Sequence, residues 1–227
     1  MKALSIIIPF HDSRRELENY LPDIIGNLSG NLDTEIILVD SRHRPEIAVI
    51  CEKNQILYVS TKRARRSVQM NHGARKASAP RLFFLHIDSI PPQYYDQLIV
   101  NAPGNSGCFQ LAFNPPHWFL DSFAFFTRYK WVFARGGDQG LYIDRGVFDN
   151  IGGFKAEWSI MEDIDICRRL SATDGFHVLP QKLITSSRKY LKNGVYKLQF
   201  IFIVLTLMYW LGFSNGNIQK AYAKWVK

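Results

Sequence analysis

The chain opens on a compact apolar run, Leu4-Ser5-Ile6-Ile7-Ile8, closed by Pro9, the pattern of a strand buried on both faces of a largely parallel sheet. Leu17, Leu21, Ile24, Ile25 and Leu28 then recur at near-helical spacing over 16–28, with Pro22 interrupting the middle. A second strand is predicted over 35–39, ending on Asp40. A helix follows over 45–54, a short strand over 56–59, and a third helix over 68–79 that stops before Pro80. Arg81-Leu82-Phe83-Phe84-Leu85 reads as another buried strand, delivering His86-Ile87-Asp88 to its C-terminal end.

This alternation predicts βαβ units and an α/β fold with a mostly parallel, Rossmann-like central sheet flanked by helices. Ligands of such sheets sit beyond the carboxyl ends of the strands, where Asp40 and Asp88 both fall. The second half is less regular. Gly, Asn and Pro cluster over 101–116, and aromatic residues crowd 118–133. A strand over 140–143, a short helix from Arg145 and a Gly152-Gly153 turn then lead to Met161-Glu162-Asp163, at the start of a helix reaching about Leu170.

From Leu198 to Phe213 only Gln199, Thr206 and Gly212 interrupt apolar side chains, with Lys189, Lys192 and Lys197 before and Lys220, Lys224 and Lys227 after. Sixteen residues fall short of the roughly twenty needed to cross a bilayer. The segment reads either as a helix docked on protein or as one lying on an anionic membrane surface, and the basic flanks favour the membrane. The chain thus divides into one domain over 1–190 and an apolar, basic helical appendage over 191–227.

Composition narrows the partners. A length of 227 residues with 47% hydrophobic content suits one full domain. A formal charge of +8 favours anionic partners such as nucleotide phosphates or acidic lipids. Cys51, Cys108 and Cys167 are widely spaced and odd in number, so neither a disulfide framework nor a zinc cluster is expected. With no signal-peptide pattern at the start, a cytoplasmic location is expected, peripheral on the inner membrane face if 198–213 meets lipid. No RNA-binding signature is present, so nucleic acid is not expected as a partner.

Several residues could carry chemistry. Asp40 is placed to accept hydrogen bonds from a nucleotide base or ribose, or equally to cap a turn. If the strand geometry continues, His86 and Asp88 point the same way and could face one manganese or magnesium ion; Asp88 is equally a turn residue before Pro91-Pro92. Lys62, Arg63, Arg65 and Arg66 lie before a helix start, where phosphates bind, or form a solvated loop. Glu162-Asp163 is the best general-base candidate for deprotonating an alcohol, against plain first-turn stabilisation of the helix.

Taken in order, Ser5-Ile6-Ile7-Ile8-Pro9, Val39-Asp40, Gln69-Met70-Asn71, Leu85-His86-Ile87-Asp88, Gly137-Asp138-Gln139-Gly140, Gly152-Gly153-Phe154 and Met161-Glu162-Asp163 resemble family 2 glycosyltransferases of the GT-A fold. The closest likeness is to a compact bacterial branch reading Leu-His-Ala-Asp where larger relatives read Asp-X-Asp. The resemblance implies transfer of a sugar from a nucleotide-diphosphate sugar to an acceptor hydroxyl, inverting and dependent on a divalent metal, Mn2+ or Mg2+. It puts Pro9, Asp40, Arg65, Gln69, Asn71, Asp88 and Arg188 around the donor and gives Asp88, with His86, the metal. Asp163 becomes the base beside Glu162, and Asp138 and Gln139 take the acceptor side. The acceptor is not identified; a lipid-linked one would be met at the membrane. His11-Asp12 replaces the family's Asn-Glu pair, and Ser41-Arg42-His43-Arg44 replaces its glycine-rich turn.

Two other readings compete. A nucleotidyltransferase would share the sheet and a metal aspartate, but needs a glycine-rich phosphate loop that Phe10-His11-Asp12-Ser13 does not supply. A non-catalytic membrane-associated or nucleic-acid-binding protein would rest on the basic charge alone.

Overall fold

All seven positions of β1 (Leu4–Phe10) are buried, as its run of β-branched residues requires. The computed structural model describes residues 2–11, 13–171 and 175–226; Asp12 and Lys227, noted above, lie outside the described residues. The strand runs on through Pro9. The neighbouring strand on one side pairs only as far as Ile7, so the missing Pro9 N–H costs no hydrogen bond to it.

Three helices link the parallel strands that follow. α1 (Arg14–Gly26) is capped by the Ser13 side chain, which accepts from the Glu16 N–H, and it continues through Pro22. β2 (Thr34–Asp40) pairs with β1, bringing Phe10 opposite Asp40. α2 (Pro45–Lys53) begins on a proline, whose missing N–H is an orphan donor there anyway. β3 (Leu57–Ser60), α3 (Arg66–Lys76) and β4 (Arg81–Phe84) complete this half, with β3 on β2 and β4 on β1, all parallel.

The second half departs from a parallel pattern. β5 (Ser89–Ile90) and α4 (Tyr95–Val100) precede β6 (Ser106–Asn114), a nine-residue strand in the region read above as irregular. Its opening Ser106-Gly107 hides it from a hydrophobic pattern. Gly107 is needed because a Cβ there would run into the Tyr142 ring and the His177 carbonyl. α5 (Trp118–Phe125) takes up the start of the aromatic stretch.

β7 (Leu141–Asp144) is antiparallel to both β4 and β6, and α6 (Arg145–Asn150) follows it. α7 (Glu162–Ser171) carries the acidic pair. β8 (Phe176–Ser186), which the hydrophobic pattern does not reveal, pairs parallel with β6 and antiparallel with β5. The sheet order is β3-β2-β1-β4-β7-β6-β8-β5, parallel in its first half and mixed in its second.

One core layer joins β1 and β2 to α1 and α2 through Leu17, Leu21, Ile24 and Ile47. The opposite layer sets Met70 and Ala74 of α3 and Ile166 and Leu170 of α7 against Ile7, Val39 and Phe84.

Three helices close the described chain: α8 (Arg188–Asn193), α9 (Val195–Trp210) and α10 (Asn215–Trp225). The apolar stretch 198–213 therefore supplies most of α9. Its Ile201, Leu205 and Tyr209 share a core with Ile218 of α10 and with Met161 and Ile164 at the start of α7. Among the described residues no helix is long and apolar enough to cross a membrane.

Candidate active site

Four segments meet in a recess at the sheet edge: the turn after β4, the loop before β7, and the starts of α3 and α7. β4 ends at Phe84 and the chain turns over 86–89, with Ser89 N–H donating to the His86 carbonyl. His86 and Asp88 therefore do not alternate on one strand. The His86 ring instead lies with its Nδ1 3.2 Å from Asp138 Oδ1.

Gly137 organises the meeting. Its backbone lies against the Asp163 carboxylate and helps to favour the charged form. A Cβ on Gly137 would land on Asp163 Oδ2 and on the His86 ring, so only glycine lets the loop come this close. Arg135 holds that loop from behind: Nη1 donates to Gln139 Oε1 (2.6 Å) and contacts Cys108 Sγ (2.9 Å), and Nη2 donates to the Thr127 and Tyr129 carbonyls. Gln139 is buried and spends its own amide on the Ala134 carbonyl, so it belongs to the loop's frame. The Asp138 side chain remains 46% exposed.

The charges are unevenly shared. Desolvation opposes the Arg66 charge, but Glu162, Asp138, Asp163 and Asp88 together raise its pKa. Desolvation and the neighbouring Asp163 push Glu162 up to about 7, against the pull of Arg66 and His86. Asp163 is also raised, mainly by desolvation. Desolvation works against Asp138 too, yet its hydrogen bond to His86 keeps it below the ordinary carboxylate range. His86 loses by desolvation and by Arg66 but is raised overall by Asp138 and Asp163. A carboxylate pair that holds a proton to near neutrality, beside cations that can steady negative charge, suits proton abstraction from an alcohol.

Backbone strain marks the same place. Met161, immediately before Glu162, has φ +69°, a left-handed conformation that a long side chain adopts at a cost. Its side chain is held in the core shared with α9 and α10, so the C-terminal helices brace the start of α7.

The remaining sequence candidates are engaged elsewhere. Asp40 is fully buried and accepts from Arg44 Nε (3.0 Å) and Nη2 (2.7 Å), the Arg42 and Arg44 N–H groups and the Tyr58 hydroxyl. Gln69 donates to the carbonyls of Phe10 (2.8 Å) and Val39 (2.6 Å), tying the ends of β1 and β2 together. Asn71 bonds both backbone groups of Phe154 and so fixes the turn at Gly152 and Gly153, where φ is +75° and +64°. Arg65 reaches the Ala156 carbonyl. Arg188 pairs with Glu16 (2.7 Å) and lies within electrostatic reach of Asp88. Pro9 is buried in β1. Sequence reasoning marks Arg66 only as one of four basic residues that bind phosphate or form a solvated loop, and Gly137 only as part of a loop motif; the basic run does not single out Arg66, and a glycine inside a motif gives no signal by itself.

The fold has known counterparts. A mannosyltransferase from Pyrobaculum calidifontis, solved with GDP-Man and Mn2+, matches with a TM-score of 0.67 at 16% identity, over 90% of this chain and 61% of that one. S. aureus TarS 1-349 matches with a TM-score of 0.65 at 13% identity, over 99% of this chain and 70% of that one. The longer TarS structure matches at 0.64 and 11% identity, and this chain covers 43% of it. The chain thus spans about three fifths of the mannosyltransferase's length. No curated protein is significantly similar in sequence. The glycosyl transferase family 2 model matches residues 5–156, two thirds of the chain, and with the GT-A fold of these neighbours this means that the chain belongs to glycosyl transferase family 2.

Proposed function

We propose that this chain transfers a sugar from a nucleotide-diphosphate donor to an acceptor hydroxyl, with inversion, and that Asp163 takes the acceptor's proton. The observation that carries this reading is the meeting of Asp163, His86 and Asp138 around Gly137. Asp163 lies against the Gly137 backbone, which helps to fix where the incoming alcohol would meet its carboxylate. As the alcohol attacks the anomeric carbon its proton passes to Asp163, and the diphosphate departs from the opposite face. Glu162 shares the charge of the pair and keeps its affinity for a proton near neutrality. Arg66 and Arg188 supply positive charge beside Asp88, where the leaving diphosphate would lie.

A divalent ion carried in by the donor fits the residues present. Asp88 offers a half-buried carboxylate, and magnesium-type ions are commonly held by one or two carboxylates with phosphate oxygens completing the shell. Among the described residues no group of three or more His, Cys, Asp and Glu side chains forms a prebuilt cage. When bound, such an ion would neutralise charge on the diphosphate. His86, with Nδ1 directed at Asp138, fits a role in orienting the acceptor side better than a second ligand's role. Asp40 would meet a nucleotide base only after exchanging some of its bonds to Arg44.

The GDP-Man and UDP bound by structural neighbours support the donor class. Peripheral membrane contact through 198–213, on the cytoplasmic face, would bring a lipid-linked acceptor within reach. A panel of nucleotide sugars screened by thermal shift with and without Mn2+, followed by product analysis on each hit, tests the function. Stabilisation and turnover with a sugar nucleotide support it; stabilisation by nucleoside triphosphates with pyrophosphate release would replace it with nucleotidyl transfer.

A further inference from the structure

Residues 118–133 form an aromatic surface that the proposed sugar transfer does not use. Trp118 is 71% exposed and Phe133 62%, and Phe125, Phe126, Tyr129 and Trp131 are also open to solvent. The rings prop one another up, with Phe126 stacked on Trp131 (6.1 Å) and Trp131 on Phe133 (5.3 Å). Arg128 lies 3.7 Å over the Phe125 ring, and Lys130 is exposed beside it. This surface continues into α9, because Phe119 packs on Tyr196 at 4.6 Å and Trp118 faces the same ring at 6.4 Å. Along α9, Leu198 and Leu205 point into the core while Phe200 and Leu207 stand 66% and 54% exposed.

Charge identifies the occupant. Residues 1–174 hold twenty basic and twenty acidic side chains, whereas 175–227 hold eight Lys or Arg and no Asp or Glu. The entire +8 therefore falls on the segment containing α8, α9 and α10. A symmetric pairing of two copies through this face would bring two acid-free basic segments together, at an electrostatic cost. Aromatic rings interleaved with Lys and Arg, with Asp121 the single acid within 118–133, on elements too short to span, suit the interface of an anionic bilayer, where rings sit at headgroup level and cations meet acidic lipids.

We propose that 118–133 and the outer face of α9 form one continuous surface that rests on an anionic membrane. This adds a second, aromatic segment to the peripheral contact suggested above for 198–213. The platform is tied to the active site through Arg135, which binds the Thr127 and Tyr129 carbonyls on one side and Gln139, next to Asp138, on the other. An acceptor presented at the membrane would therefore arrive beside the recess.

The test is co-sedimentation of the full chain with vesicles of phosphatidylcholine alone or mixed with phosphatidylglycerol. Binding is expected only to the anionic vesicles, weakening as salt rises, and the Trp118→Glu/Phe133→Glu double variant should bind about tenfold less tightly while retaining nucleotide diphosphate binding. A Trp118→Ser/Phe133→Ser variant, which removes the rings without adding charge, should lose affinity too. The proposal fails if either the ring variants or Phe200→Glu/Leu207→Glu bind as wild type, if anionic vesicles are not bound, or if the chain forms a dimer that the ring substitutions dissolve. None of these readouts uses sugar transfer, so failure here leaves the enzymatic reading standing.

Discussion

His86 Nδ1 lies 3.2 Å from Asp138 Oδ1, a contact across fifty-two residues that joins the turn after β4 to the loop before β7. With Gly137 packed against Asp163, it gathers three segments of the chain into one recess.

Gly137 is the hinge of that arrangement, and its replacement separates function from fold. In Gly137→Ala the new methyl displaces the Asp163 carboxylate and the His86 ring, both of which have side-chain freedom to move. Turnover should fall by about a hundredfold, since displacements near 1 Å in a catalytic group are that costly. Circular dichroism and thermal denaturation should show a folded protein, and full activity in this variant would contradict the geometry.

The acidic pair predicts a pH dependence. Glu162 is raised from 4.5 to about 7 by desolvation and by Asp163, with Arg66 and His86 pulling the other way. Asp163 is raised as well, mainly by desolvation, and base catalysis needs it deprotonated, so kcat/KM should rise with pH through a midpoint above that of an ordinary aspartate. Ionisation of Glu162 at about 7 strengthens the neighbouring base, so Glu162→Gln should remove any further rise near 7 from the pH–rate profile. The sign for stability is opposite: a raised carboxyl pKa favours the fold at low pH, and that contribution is lost as pH climbs from 4.5 through about 7.

Gln69 serves the backbone. Its amide satisfies the Phe10 and Val39 carbonyls at the ends of β1 and β2. Gln69→Leu removes both bonds while the Phe10 carbonyl keeps the one from the Ser41 N–H, at roughly 1–2 kcal/mol, which corresponds to a fall in Tm of about 2–8 °C for a domain of this size. Nucleotide affinity of the variant, measured well below its Tm, should change little. A large loss of affinity with unchanged Tm would return Gln69 to the donor site.

Asp88 is the residue through which a divalent ion would affect donor binding. In calorimetric titrations of nucleoside diphosphate, Asp88→Ala should reduce affinity in Mn2+ and leave the weaker metal-free binding nearly unchanged. Equal affinity with and without Mn2+ in the wild type would remove the ion from the account.

The first half of the fold was legible because its strands are short, wholly buried apolar runs separated by helices, a pattern that survives without any tertiary information. β6 and β8 were not, since Ser106, Gly107 and Gln110 interrupt one, and His177, Pro180, Gln181 and Lys182 the other; neighbouring strands make them strands. Among the site residues, Asp163 was named from its helix-start position, which follows local rules, whereas Asp138 came only from the resemblance of its loop motif. Gln69, Asn71 and Gln139 carry the same polar signal as ligand-binding residues, yet they bond buried backbone, and only coordinates reveal which carbonyls need them. The expected pairing of His86 with Asp88 relied on strand alternation continuing past Phe84, and the turn over 86–89 ends it.

The role of Asp163 is tested most directly by Asp163→Asn, assayed for both transfer and donor affinity. The substitution keeps the size of the side chain and removes its ability to take a proton. Transfer should drop at least about a hundredfold while nucleotide diphosphate affinity stays within about twofold of wild type. Turnover equal to the wild type's would show that the alcohol loses its proton elsewhere.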